Sequence, residues 1–262
     1  MTDINKKNVS IIISASWIFT SNSADQLLSD YSIVIKGNQI IDLVHQSKVF
    51  DEYDAEEIYQ LTDHILIPGL INTHTHAAMS LFKGFSDDLP LQDWLNNYIW
   101  PAEKKFVNSS FVKDGSILAL SEMIKAGVTT FNDMYFYPDS TAEASIELGV
   151  RSNVGLVVLD FPTNYAADPE DYLVKGFEFR DRWRSEELIT TSIAPHAPYS
   201  VSDEAFSLIN TYSEELGMNI HMHLHETQWE IEDSVKRYGI TPVQRLNNLG
   251  IINPSLIAAH CV

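Results

Sequence analysis

The chain has 262 residues, of which 45% are apolar and 20% are charged, a composition typical of a globular protein and not of a disordered one. Its 17 basic and 36 acidic side chains give a net charge of −19, which argues against nucleic acids and anionic membrane surfaces as partners. The single cysteine, Cys261, excludes an internal disulfide and a cysteine-rich zinc site.

A short apolar stretch over residues 11–19 follows Lys6 and Lys7, an arrangement that a weak secretory signal would share. Ser14 and Ser16 interrupt the stretch, and it is shorter than the roughly 18 residues that a membrane span needs. We therefore interpret it as a first β-strand and predict a cytoplasmic protein with no membrane partner.

Short strands and tight turns are predicted for the first quarter of the chain. The apolar pattern places strands at 9–20, 31–36, 40–45, 58–61 and 64–67. Gly37-Asn38 is typical of a hairpin turn between the second and third of these strands. No helical period is visible here, so we predict a small all-β unit.

After Pro68-Gly69, extended apolar segments alternate with amphipathic helical ones. The predicted strands cover 65–74, 128–135, 152–160, 188–195, 219–225 and 256–262, and the predicted helices cover 110–126, 140–148, 169–184, 202–216, 228–238 and 242–249. This alternation indicates βα units and a parallel sheet. Six strands fit either an open sheet or a (β/α)8 barrel that has been cut short.

Histidines gather at the predicted strand ends. Seven of the nine lie at or near the carboxyl end of a strand, where parallel α/β folds place their active sites. His74 and His76 are two residues apart on one strand, so both imidazoles face the same side and could bind one zinc ion. The alternative is two unrelated histidines on a polar loop.

A second histidine-rich strand is followed by an acid. His221, His223 and His225 alternate along it, but the outer two would stand about 13 Å apart, so we predict only one of the three as a ligand. Glu226 comes three residues after His223, where a carboxyl group could exchange a proton beside a metal. The alternative is a solvated Glu-Thr turn before the next helix.

Other candidates have two interpretations each. His196 lies between two prolines that restrict its loop, either as a ligand or as a turn histidine. His260 lies at a strand end like the others, although a core histidine would fit there too. Glu103, on spacing alone, is an exposed glutamate at a helix start. Asp87-Asp88 is either a metal-adjacent pair or a solvated loop pair, and the second interpretation is favoured.

Several catalytic motifs are absent from the sequence. It contains no PCxxC, GxSxG, GxxxxGK[ST] or GxGxxG, so a cysteine-ligated zinc deaminase, a hydrolase nucleophile elbow, a P-loop and a dinucleotide fingerprint all lack support. Residues 188–201 contain no lysine that could be carboxylated to bridge two metals, which favours a single metal ion.

Taken in order, these motifs resemble the amidohydrolase superfamily, and within it the zinc deaminases that act on 5′-methylthioadenosine and S-adenosylhomocysteine, which are grouped with the triazine chlorohydrolases. The matching segments run from Pro68 to the end of the chain: PGLINTHTH from Pro68, DDLPL from Asp87, Trp94-Leu95, WPAE from Trp100, NDMY from Asn132, PHAPY from Pro195, HMHLHET from His221 and AHC from Ala259.

The resemblance implies a (β/α)8 barrel beside a small β-sandwich. Residues 1–66 would form the N-terminal part of the sandwich, and residues 67–262 would supply barrel strands one to six. In the family an aspartate at the end of strand eight completes the metal site, and members exceed 400 residues. We therefore expect a C-terminally truncated form, inactive and unstable alone unless a residue such as Asp133 or Asp160 replaces that carboxylate.

The resemblance also implies a ligand set and catalytic roles. His74, His76 and His223 would bind one zinc ion per chain. Glu226 would carry a proton to the purine ring, and His260 would hydrogen-bond the zinc-bound water.

The implied substrate is a purine nucleoside such as 5′-methylthioadenosine or S-adenosylhomocysteine, deaminated with release of ammonia. Glu103 and His196 would hold the ribose and the purine, and Arg151 would reach the far end of the substrate. The alternatives are a non-catalytic remnant, or a hydrolase of another heterocycle similar to triazine chlorohydrolases or guanine deaminases. The oligomeric state is not readable from the sequence.

Overall fold

The computed structural model describes residues 6–22 and 26–262, which divide into one unit ending at Gly69 and another beginning at Leu70. The first unit is built on a five-stranded sheet. Its elements are β1 (Lys7–Phe19), β2 (Leu27–Ser29), β3 (Tyr31–Lys36), β4 (Gln39–His45), α1 (Gln46–Glu52) and β5 (Tyr53–Leu66). Strand β1 is central because it pairs antiparallel with β2 and β3 and parallel with β5.

The hairpin predicted at Gly37-Asn38 joins β3 to β4, and Gly37 adopts the left-handed conformation (φ 60°) that this turn needs. Two other predictions for this unit are wrong. The segments 58–61 and 64–67 belong to the single strand β5, and α1 was not predicted. Most side chains of β5 are exposed, so its sequence carries little of the alternation that marks a half-buried strand. The assignment of residues 1–66 to a β-sandwich stays a prediction.

The second unit contains a six-stranded parallel sheet. Its strands are β6 (Leu70–Thr75), β7 (Val128–Met134), β8 (Arg151–Val158), β9 (Ile189–Pro195), β10 (Ile220–Leu224) and β11 (Leu256–His260), and they are paired in chain order. This sheet and its connecting helices form six consecutive strands of a (β/α) barrel, which confirms the predicted fold class. The first strand begins at Leu70 and not at residue 65, because 65 and 66 pair with β1.

Helices connect the strands close to where they were predicted. Between β6 and β7 lie a 3₁₀ helix (Ala77–Phe82), α2 (Leu91–Trp94), a π turn (Leu95–Ile99), α3 (Trp100–Phe106) and α4 (Ser109–Lys125); the later helices are α5 (Pro138–Leu148), α6 (Pro169–Trp183), α7 (Asp203–Leu216), α8 (Gln228–Tyr238) and α9 (Pro242–Asn248). No helix of the described residues is long and apolar enough to cross a membrane.

The core of this unit lies between the strands and the helices that follow them. Leu156, Ile193 and Ile220 of the sheet are buried against Phe206 and Ile209 of α7. Burial of such side chains is the main stabilising contribution, at about 25 cal/mol per Å² of apolar surface. The carboxyl ends of the strands are therefore held on a rigid base.

Candidate active site

A cavity of about 290 Å³ lies at the carboxyl ends of the strands. Most of the residues predicted to form the site line it, namely His74, His76, Glu103, His196, His223, Glu226 and His260. They come from the carboxyl ends of four of the six strands and from α3, so the fold brings together residues up to 186 positions apart (260 − 74).

Two histidines of the cavity are oriented by main-chain carbonyl groups. The Nδ1 atom of His76 lies 2.6 Å from the carbonyl oxygen of Met134, and the Nδ1 atom of His223 lies 2.7 Å from that of His196. A carbonyl oxygen only accepts, so both Nδ1 atoms carry the proton. In the neutral imidazoles, both Nε2 atoms then present a lone pair to the cavity.

These lone pairs point towards one another. The Nε2 atom of His223 lies 3.1 Å from Nε2 of His76 and 3.1 Å from Nε2 of His74. Four ligands around zinc at about 2.0–2.1 Å stand about 3.3 Å apart, so this spacing is that of ligands sharing one ion. The predicted convergence of the three nitrogens is thus present, and the donor set fits a zinc ion. Their role as ligands stays a prediction.

His260 is a fourth imidazole within reach of the same point. It stacks on His223 with ring centroids 5.4 Å apart, and one ring nitrogen from each of His74, His223 and His260 lies within 4.8 Å of the other two. Its Nε2 atom also lies 3.6 Å from Oε1 of Glu226. His260 is therefore placed between the candidate metal centre and the candidate acid.

Burial favours the neutral form of four imidazoles in and beside this cluster. It lowers the pKa of His74 to about 3, with a further contribution from the neighbouring histidines, and it lowers the pKa of His196 to about 3. Burial likewise lowers the pKa of His221 to about 4 and depresses that of His223. Neutral imidazole is the form that binds a metal, so burial leaves His74 and His223 in the form that a ligand needs.

Glu226 lies on a turn that a second glutamate holds in place. The buried carboxylate of Glu230 accepts hydrogen bonds from the amides of His225 (2.9 Å) and Glu226 (3.0 Å). His225 has a left-handed backbone (φ 51°), so these two bonds stabilise a conformation that a non-glycine residue rarely adopts. Glu230 was not among the predicted site residues, although Thr227 and Glu230 have the spacing of a helix capping box.

The Glu226 carboxyl faces the cavity in a partly buried position. Burial raises its pKa, and the negative charge of Glu230 raises it further. The hydroxyl of Tyr199 donates to Oε2 of Glu226 over 3.4 Å. A raised pKa makes the protonated form of this carboxyl easier to reach than in a free glutamate, which favours its use as a general acid–base group.

The loop that carries His196 and Tyr199 is clamped by a buried arginine. Arg245 of α9 donates to the carbonyl oxygens of Pro198 (2.5 Å) and Val201 (3.0 Å), and its Nε atom donates to Asp203 (2.6 Å). The guanidinium thus satisfies two buried carbonyl groups in the loop. This clamp is a further positioning element that the sequence pattern did not reveal.

We expect Arg245→Leu to lower the free energy of unfolding by about 2–5 kcal/mol, because each buried carbonyl left without a donor costs about 1–3 kcal/mol. Denaturation by urea measures the loss. Arg237→Leu is the matched control, since Arg237 is exposed on α8 and pairs, within the described ranges, only with Asp233, and it should change stability little. Equal effects of the two substitutions would contradict the clamp.

Glu103 is not the exposed glutamate that its spacing suggests. Its carboxylate accepts a hydrogen bond from the hydroxyl of Tyr135 (2.7 Å), and it lines both the first cavity and a second one of about 350 Å³. Burial raises the pKa of Glu103 to about 7, against the opposing effect of the Tyr135 hydrogen bond. The two cavities also share Trp100, Phe136 and Leu159.

One predicted site residue lies away from the site. Arg151 is the first residue of β8, an exposed position at the amino end of that strand, while the cavity is at the carboxyl ends. Eight residues of strand place the two ends roughly 23 Å apart, so Arg151 does not reach the substrate cavity. This prediction is wrong because it rested on the resemblance alone, whereas the predicted strand at 152–160 already placed Arg151 at an amino end.

The aspartates considered as substitutes for a missing carboxylate do not line the cavity either. Asp133 is buried and accepts hydrogen bonds from the Ala77 amide (2.7 Å) and the Thr75 hydroxyl (2.8 Å), which brace the segment around His76. Asp160 accepts a hydrogen bond from the hydroxyl of Ser202. Asp133 therefore has a structural role close to the site.

Comparison with known proteins agrees with this arrangement. Residues 65–262 match the model of the amidohydrolase family. The chain therefore belongs to the amidohydrolase family, as its motifs predicted.

Individual relatives show which members of the family the chain is similar to. The chain is 44% identical over 256 residues to a 5-methylthioadenosine/S-adenosylhomocysteine deaminase of Saccharophagus degradans, covering 98% of this chain and 57% of the relative. It is 36% identical to a 5′-deoxyadenosine deaminase of Methanothermobacter thermautotrophicus, covering 88% and 53%. A crystal structure of an adenosine deaminase from Xanthomonas campestris with bound zinc superposes with a TM-score of 0.93 at 36% identity, covering 97% and 58%. The chain thus spans somewhat over half the length of these relatives.

Proposed function

We propose that the protein is a zinc-dependent hydrolytic deaminase of adenine nucleosides such as 5′-methylthioadenosine or S-adenosylhomocysteine. The observation that carries the proposal is the convergence of three imidazole nitrogens beside Glu226, a carboxyl group whose pKa burial raises. The names of the relatives support the choice of nucleoside.

One zinc ion per chain would be held by the Nε2 atoms of His74, His76 and His223. Zinc, when bound, supplies the Lewis acidity that makes water a nucleophile at neutral pH. The carbonyl groups of Met134 and His196 keep two of these imidazoles in the tautomer that a metal requires. Because main-chain groups do this, the site is oriented before any ligand arrives.

The reaction replaces the amino group at C6 of adenine with oxygen. One C–O bond forms and one C–N bond breaks, so that water and the adenine nucleoside give a hypoxanthine nucleoside and ammonia. Glu226 takes one proton of the water and delivers it to N1 of the ring, while the other proton leaves with the amine. His260, 3.6 Å from the Glu226 carboxylate, orients the attacking oxygen on the same side.

The two cavities supply room for the rest of the nucleoside. We assign the purine to the first cavity beside His196 and the ribose to Glu103, which lies where the two cavities meet. The substituent at C5′ then extends into the second cavity, between aromatic side chains such as Phe161 and Tyr165. An ionised Glu103 would accept hydrogen bonds from both ribose hydroxyls.

The titration of Glu103 predicts how kcat/KM depends on pH. As its pKa lies near 7, the carboxylate gains a proton as the pH falls below 7, and substrate binding should weaken: we expect kcat/KM to fall with an apparent pKa near 7. Glu103→Gln should lower kcat/KM at pH 8 and remove this limb of the profile. If kcat/KM of the Glu103→Gln variant still fell below pH 7, a group other than Glu103 would be responsible for the fall.

The same shift affects stability with a defined sign. The folded state holds the Glu103 proton up to about pH 7, whereas the unfolded chain releases it near pH 4.5. The contribution of Glu103 to the free energy of unfolding is therefore fully present below pH 4.5 and is lost as the pH rises to 7.

The deciding experiment measures ammonia release by the purified zinc-loaded protein from 5′-methylthioadenosine, S-adenosylhomocysteine, 5′-deoxyadenosine and adenosine, with guanine and a chlorinated triazine as comparisons. Turnover of one or more adenine nucleosides supports the proposal. Turnover confined to guanine or the triazine contradicts it, and no turnover with one zinc bound per chain supports the alternative that this chain alone is a non-catalytic form.

A further inference from the structure

The third candidate ligand is oriented differently from the other two. His76 and His223 each have a main-chain carbonyl oxygen on Nδ1. The Nδ1 atom of His74 instead lies 2.9 Å from a side-chain nitrogen, Nε2 of His221. A carbonyl oxygen can only accept, but an imidazole nitrogen can donate or accept, so this contact allows two arrangements of the proton.

Only one arrangement leaves His74 free to bind a metal. If Nδ1 of His74 donates to Nε2 of His221, the Nε2 atom of His74 keeps its lone pair and faces Nε2 of His223 at 3.1 Å. If His221 donates, a neutral His74 carries its proton on Nε2, and that proton occupies the space of the metal. The direction of the hydrogen bond between His74 and His221 thus decides whether His74 can be a ligand.

The position of His221 suits it to this task. The side chain is fully buried in β10, two residues before His223, and its ring packs edge-on against His74 with centroids 5.0 Å apart. Its Nδ1 atom has no hydrogen-bond partner in the described part of the chain. A buried polar atom without a partner is costly, and when Nε2 of His221 accepts, this Nδ1 atom carries the proton of the neutral ring, so the presence of His221 here calls for a role that offsets the cost. His221 does not line the cavity, so contact with substrate does not explain its presence.

We propose that His221 is a positioning residue, which accepts the Nδ1 proton of His74 and thereby directs the Nε2 lone pair of His74 towards the metal. The role rests on the metal centre proposed above but is independent of the substrate. Hydrogen-bond partners of metal-binding histidines fix the tautomer and the ring orientation, and their loss costs about 10–100-fold in metal affinity. His221 thus supplies through a side chain what Met134 and His196 supply through the backbone.

Two substitutions of similar size show whether the side chain at position 221 acts as a hydrogen-bond acceptor or only fills space. The side-chain oxygen of His221→Gln can occupy the place of Nε2 and accept the same proton, whereas His221→Leu fills the volume without an acceptor. Zinc affinity is measured on the metal-free protein by competition with a chelator. We expect His221→Leu to bind zinc about 10–100-fold more weakly than the unaltered protein, and His221→Gln to stay within about threefold. Thermal unfolding of the zinc-free forms is the control for folding.

A second measurement needs no variant. In the zinc-loaded protein labelled with ¹⁵N, we expect the His74 proton on Nδ1 and a scalar coupling across the hydrogen bond to Nε2 of His221. A proton on Nε2 of His74, or His221→Leu binding zinc as tightly as the unaltered protein, would overturn the positioning role. Failure of the unaltered protein to bind zinc would overturn the metal centre, and the role of His221 with it.

Discussion

Glu226→Gln should lower the rate of ammonia release by about 10²–10⁴-fold while leaving one zinc ion bound per chain. Glutamine has nearly the same shape and can still accept from Tyr199, so the turn should persist. What it cannot do is take up and deliver a proton. Turnover and zinc content, measured on the same preparation, test both halves of this statement.

Glu232→Gln is the matched control, because Glu232 is an exposed glutamate of α8 whose carboxylate meets only Gln228 among the described residues. It removes the same charge six residues away and should leave turnover unchanged. If Glu226→Gln instead lost zinc, the carboxyl would belong to the ligand set. A Glu226→Gln protein with full turnover would remove Glu226 from the mechanism.

His223→Ala should abolish zinc binding and, with it, deamination. His223 is the imidazole shared by both short contacts, since its Nε2 atom lies 3.1 Å from those of His74 and His76. Without it the two remaining nitrogens lose the partner that closes the site. We expect less than about one tenth of the zinc content after dialysis against a weak chelator.

The exposed His64, bonded only to the Thr62 carbonyl oxygen among the described residues, supplies the control His64→Ala, which should keep its zinc. Circular dichroism of both zinc-free proteins shows whether the buried substitution has disturbed the fold. Undiminished zinc in a folded His223→Ala protein would assign the metal to other residues, with the set of His74 and His260 as the next to test.

The barrel strands could be predicted because their signal is local. Each predicted strand and helix of the second unit is a run of apolar periodicity punctuated by turn residues, and the structure places these elements within a few residues of the predicted bounds. The segment between His76 and Ser109 was not predicted, because short 3₁₀, α and π turns follow one another there without a sustained period.

The residues of the candidate site also fall into two groups, those that the sequence pattern revealed and those that it did not. His74, His76 and His223 could be singled out, since alternation along a strand places side chains on one face. The main-chain carbonyl group that orients His76 and the arginine that clamps the His196 loop could not be found by spacing, because they act through contacts between elements distant in sequence. Glu230 is different, since it lies five residues after His225 and had a local signal in the capping-box spacing. Arg151 shows the reverse failure, a residue of suitable chemistry at the wrong end of its strand.

Met134 and His196 each serve the site twice, through separate parts of the same residue. The carbonyl groups hold His76 and His223, while both side chains line the cavity. Exchanging either side chain alters the shape and polarity offered to a substrate but leaves the carbonyl oxygen where it was. Mutations at these two positions can therefore change which substrate is bound and leave the metal site intact. The two positions are natural starting points for evolving an enzyme that prefers a different heterocycle.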